Sequence, residues 1–140
     1  MSNSPESGTS AGNAATAEVT AALSVKSLDQ PGETRTTIDR GRIELVTLGG
    51  VTVGRATFEP GWRWSEHAKP LAGTDLCEAT HIGYVVSGRQ VCRMADGTQI
   101  ELKPGDAFVV GPGHDAWVVG DEPCVTVDFN GLADFANTQR

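Results

Sequence analysis

The chain has 140 residues, 39% of them hydrophobic and 21% charged, an ordinary composition for one globular domain with a single core. Eleven Lys and Arg against 18 Asp and Glu leave a net charge of -7, and no stretch gathers the basic residues, so the electrostatic footprint of a nucleic-acid binder is missing. No apolar run is long enough to cross a bilayer, and the first residues have neither the basic nor the apolar region of a secretory leader. Cys77, Cys92 and Cys124 are odd in number and widely spaced, which reads as free thiols in a reducing compartment. The expectation is a soluble, cytoplasmic protein that binds neither nucleic acid nor membrane.

Residues 1 to 22 are rich in Ser, Ala, Thr, Gly and Asn, with Val19 the only large aliphatic before Leu23. Such a stretch buries too little apolar area to offset its ordering entropy, and a helix over Ala14 to Leu23 would be marginal alone. It is read as a disordered tail preceding a single β-domain over 23 to 140.

From Thr36 the texture changes to short β-type runs separated by turn residues. Ile43 to Leu48 and Val51 to Phe58 flank Gly49-Gly50, a dipeptide that accepts the positive φ angles of a tight hairpin. Ile82 to Val86, Gln90 to Met94 and Thr98 to Leu102 each end at a turn signature: Ser87-Gly88, Asp96-Gly97 and Pro104-Gly105-Asp106. Ala107 to Val110, Asp115 to Val119 and Cys124 to Phe129 follow. These read as consecutive antiparallel strands, about nine or ten in all, with no helical periodicity.

The chain's three histidines, His67, His81 and His114, fall in this half, each near a Gly or Pro turn signal. Imidazole is the commonest protein ligand for transition metals, so three converging inside a small barrel would make a metal site.

The wording around them resembles the cupin superfamily over about residues 40 to 130. The stretches concerned are Gly61-Trp-Arg-Trp-Ser-Glu-His67, His81-Ile-Gly-Tyr-Val-Val-Ser-Gly88, and Pro104-Gly-Asp-Ala-Phe-Val-Val-Gly-Pro-Gly-His114. The resemblance implies an all-β fold, a double-stranded β-helix or jelly roll with its site inside the barrel. It also implies a homodimer. Gly61 and His67 match the opening of the first motif, and His81 occupies the place of its Glu. Lys69 stands where the second histidine of the pair belongs, and Cys77, four residues before His81, is the replacement if the gap is counted from the far side of an insertion. In the second motif Ala116 takes the usual His position and His114 lies two residues earlier, on the same strand face if the strand has already begun.

The expected metal ligands are therefore His67, Cys77, His81 and His114, a three-nitrogen, one-sulfur set whose softness favours zinc, with iron, copper or nickel also suited to imidazole. The same parity puts Cys77 and His81 on one face only where residues 77 to 81 are extended. Trp64, Phe108 and Trp117 are candidate pocket-lining residues for a small-molecule ligand, with Trp62 sharing the strand parity of Trp64. Asp75 and Glu78 flank the ligands as solvated carboxylates, a general acid or base, or outer partners of a histidine; Cys92 and Cys124 read as core positions, and Arg63, Arg89 and Arg93 as surface groups or partners of a substrate carboxylate. Tyr84 falls on the face opposite His81. Three functions fit: a metal-dependent enzyme with an open coordination position, a closed structural or sensory metal module, and a metal-free ligand-binding cupin.

Overall fold

A computed structural model describes residues 23–133 and 135. The tail expected over 1 to 22 lies outside the described residues. Nine strands are present among those described: β1 (Glu33–Arg35), β2 (Gly41–Leu48), β3 (Val51–Phe58), β4 (His81–Ser87), β5 (Arg89–Met94), β6 (Gln99–Leu102), β7 (Ala107–Val110), β8 (His114–Val119) and β9 (Cys124–Phe129). They form a six-stranded antiparallel sheet in the order β1-β2-β3-β9-β4-β7 and a three-stranded one in the order β6-β5-β8.

The β2–β3 hairpin closes where the composition indicates, with Leu48 opposite Val51 and both Gly49 and Gly50 at positive φ. Alternation along the strands then sorts side chains. Ala56 and Phe58 of β3, Ala116 and Val118 of β8, and Cys124 of β9 join Trp62, Trp64, Val85 and Leu102 in one core between the sheets. The opposite face of the larger sheet leaves Ile82, Tyr84, Val86, Val109 and Phe129 exposed.

Two expectations need correction. The strands from β4 onward are not simple neighbours: β4 pairs with β7 and β9, while β5, only Gly88 away, pairs with β6 and β8 in the other sheet. Turn signatures mark where strands end, and the choice of partner is made by the core. The stretch after Gly61 is also not extended. A π-helical turn over Trp64–Ala68 runs into a short helix, α1, over Lys69–Ala72, which has Pro70 in its first turn and Gly73 at φ 77° as its C-cap. Ser65 donates from its N–H and its hydroxyl to Asp115 of β8, at 3.0 and 2.8 Å, tying this helical insert to the barrel. No helix among the described residues is long and apolar enough to cross a membrane.

Candidate metal centre and ligand cavity

Three groups meet at one end of the core. One ligand atom from each of Cys77, His81 and His114 lies within 4.8 Å of the others. His81 opens β4 and His114 opens β8, so each ring enters the barrel from a strand end. Cys77 belongs to neither strand; it is placed by a bridge to His114, its N–H donating to the His114 carbonyl at 2.8 Å and its carbonyl accepting from the His114 N–H at 3.2 Å. The Cys77 sulfur lies 3.7 Å from His81 Nε2. The imidazole centroids of His81 and His114 are 5.3 Å apart.

Both imidazoles are oriented from behind. His81 Nδ1 lies 2.6 Å from the buried Asp128 carboxylate, and His114 Nδ1 lies 2.6 Å from the Gly111 carbonyl oxygen. A carbonyl or carboxylate oxygen can only accept here, so each Nδ1 carries its proton and each Nε2 is left for the centre. Asp128 is itself fixed by the Gly131 N–H at 2.9 Å. A Cβ on Gly131 would fall 2.6 Å from the Asp128 oxygen and 2.8 Å from His81 Nδ1, so only glycine permits this packing.

Electrostatics follow from the cluster. Burial alone would push the Cys77 thiol up, but hydrogen bonds with His114 and His81 outweigh it and hold the pKa down at about 6. Burial likewise disfavours a charged His81, yet the Asp128 carboxylate and Cys77 raise its pKa to about 9. Cys92, with no such partner, is pushed up to about 12 by burial, and burial raises Cys124 as well.

His67 is not brought to this group. The helical turn winds its ring back onto its own chain, where Nδ1 accepts from the Arg63 N–H at 3.0 Å and Nε2 lies 3.8 Å from Asp39. Trp117 is also displaced from its expected role: it sits on the face of β8 opposite His114 and Ala116, with the Arg63 guanidinium 4.2 Å above its ring. Trp64 and Phe108 do line a cavity that reaches His81 and His114, and so does Trp62. Asp75 pairs with Lys69 at the surface, and Glu78 makes no ion pair among the described residues. Asp128 is not among the residues the sequence nominates, yet parity places it on the inward face of β9 with Cys124 and Thr126, where a buried carboxylate needs a partner.

Two antiparallel sheets closed over an interior cavity define a cupin-type barrel. Within that class, residues 53–126 match the AraC-like ligand binding domain family, and the chain belongs to it. Among solved structures, it is similar to a sugar phosphate isomerase of the cupin superfamily from Silicibacter pomeroyi (TM-score 0.51, 19% identity, 74% of this chain and 72% of that one). It is also similar to KdgF from a Halomonas species (0.50, 22%, 69% and 83%) and to a Vibrio parahaemolyticus protein of unknown function (0.52, 12%, 70% and 96%). At these identities the likeness is one of fold. No curated protein sequence matches the chain significantly.

Proposed function

We propose that this domain binds a small molecule at a divalent metal ion held by Cys77, His81 and His114, with zinc the best match to one thiolate and two imidazoles. The observation that carries the reading is the donor set itself: both Nδ1 atoms are already committed to oxygen partners, which leaves two Nε2 atoms and one sulfur together. The sulfur-to-His81 spacing suits the group. In a tetrahedral centre with ordinary zinc bond lengths, sulfur and nitrogen ligands lie about 3.6 Å apart, against 3.7 Å between Cys77 Sγ and His81 Nε2. When bound, such an ion supplies a Lewis acid with a fourth position for a ligand atom. The chain's own residues orient the imidazoles through Asp128 and Gly111 and line the adjoining cavity with aromatic rings. Three protein ligands favour an open centre over a closed structural one.

Zinc binding by equilibrium competition with a chelator tests this reading. One zinc per chain is expected, with Cys77→Ala weakening it by at least about 100-fold, the loss of one of three ligands. Affinity unchanged by that substitution would remove sulfur from the centre. A second reading has its own support, because Cys77, His81 and Asp128 form a thiol–imidazole–carboxylate relay of the kind that activates a nucleophile. Rapid alkylation of Cys77 that stoichiometric zinc fails to suppress would favour it.

We further propose a homodimer formed through the outer face of the larger sheet. Ile82 lies opposite Val109 across β4 and β7, and Tyr84, Val86 and Phe129 extend the exposed apolar row. Residues 1 to 22 offer only Met1 and Val19 as large apolar side chains, too little to cover that row, whereas a second copy brings an equal one. Three buried free thiols support a reducing compartment, such as the cytoplasm.

A further inference from the structure

The cavity wall comes from strands except at Trp62, Trp64, Leu132 and Phe135. Trp62 and Trp64 are tied to β8: the Trp62 carbonyl accepts from the Val118 N–H at 3.0 Å, and Ser65, beside Trp64, donates to Asp115. Leu132 and Phe135 are held differently. They lie on a strap that begins at Asn130, where β9 ends, and past Asn130 it makes no backbone-to-backbone hydrogen bond to another element among the described residues.

Two attachments fix this strap. Asn130 takes a left-handed conformation, φ 69°, which Asn tolerates better than most residues. Its N–H donates to the Thr52 carbonyl at 2.6 Å, and its Oδ1 accepts from the Thr52 N–H at 2.8 Å. Further along, the buried Arg35 guanidinium, itself held by Glu33, donates to the carbonyls of Leu132, Ala133 and Phe135. One side chain closes here what a strand ladder closes elsewhere.

The same strap supports His81. Its Gly131 N–H fixes Asp128 Oδ1 at 2.9 Å, while Asp128 Oδ2 lies 2.6 Å from His81 Nδ1. The Phe135 ring stands edge-on to His81 with centroids 6.1 Å apart, and Leu132 packs against Gly54 so closely that a Cβ there would come within 2.7 Å of it. Displacing the strap therefore moves the cavity wall and loosens the support of the His81 imidazole together.

We propose that the strap opens and closes as one unit hinged at Asn130, with Arg35 as its latch and as a positioning residue for His81, so that what fills the cavity against Leu132 and Phe135 is felt at the imidazole. The use of this movement rests on the cavity being the ligand site; the movement itself needs no ion. A segment held by side-chain bonds opens at lower free energy than one in a ladder. His114 supplies the contrast, because its Nδ1 is held by the Gly111 carbonyl, on a stretch with which the strap shares no hydrogen bond among the described residues.

Hydrogen exchange in metal-free, ¹⁵N-labelled protein reads the movement at the Gly131 amide and at the Nδ1 protons of His81 and His114. In the wild type, Gly131 and His81 should be protected to within about threefold of each other after correction for intrinsic rates, and both less than His114. Arg35→Ala should speed exchange at Gly131 and His81 by at least about tenfold and leave His114 within about twofold of its wild-type rate. Unequal protection of Gly131 and His81, or protection equal to that of His114, would overturn the proposal, as would a variant that leaves His81 unmoved or accelerates all three protons alike. The wild-type comparison decides even if the variant does not fold. A zinc titration of the wild type tests the metal reading separately, so either can fail alone.

Discussion

Proton traffic at His81 and Cys77 sets the behaviour of the centre at the scale of single residues. With Cys77 titrating near 6 and His81 near 9, the metal-free protein holds a thiolate beside an imidazolium between those values. For the fold the two shifts oppose each other. The raised His81 pKa stabilises fully below its ordinary 6.5 and is lost as pH rises through about 9, whereas the lowered Cys77 pKa stabilises fully above 9.0 and is lost as pH falls through about 6. For metal uptake they act in sequence. An ion needs the thiolate, already present, and a neutral His81, so one proton leaves per ion bound within that window. Zinc affinity should therefore rise about tenfold per pH unit from about 6 to about 9 and then level off, with steeper dependence below 6. Calorimetry in buffers of different ionisation enthalpy counts the released proton, and a count of zero at neutral pH would contradict the relay from Asp128. At this scale the sequence was half legible. Strand parity places His114 on the inward face with Ala116, but the motif spacing that nominates His67 is overridden by a local helical turn, and parity turns Asp128 inward without announcing its partner forty-seven residues away.

Strand positions were legible at the level of elements because Gly, Pro and Asp punctuate the chain between apolar alternations. The crossing from β4 to β5 and the helical insert were not, because both are decided by contacts between distant segments: Pro123 and Cys124 against Gly88, and Asp115 against Ser65. The short strand β1 was likewise missed, and it has a clear task. Arg35, buried at its end, donates to the carbonyls of Leu132, Ala133 and Phe135 at 3.1, 2.8 and 2.6 Å, pinning the segment after β9. Leu132 and Phe135 of that segment form part of the cavity wall. Arg35→Ala strips the donor from these carbonyls and should cost about 2–3 kcal/mol in chemical denaturation, and it should loosen the cavity wall. A loss below about 0.5 kcal/mol, the ordinary range of surface changes, would show that the clamp is idle.

For the whole molecule, the barrel supplies two surfaces of opposite character: an interior cavity with its polar cluster, and an outer apolar row on the larger sheet. The row predicts a dimer in sedimentation at micromolar concentration that Ile82→Glu with Val109→Glu converts to monomer, while a wild-type chain that stays monomeric at high concentration would contradict it. Fold class was legible from strand count, turns and the cupin-like wording together, since these are properties of the chain as a whole. The ligand was not, because it depends on the shape and charge of a cavity assembled from six or more separate segments. The account stands on one sulfur and two imidazole nitrogens sharing an ion, and X-ray absorption at the zinc edge measures that directly. The predicted spectrum has a single sulfur scatterer at about 2.3 Å and nitrogen or oxygen scatterers at about 2.0–2.1 Å; a shell without sulfur, or a protein that retains no zinc, would contradict it.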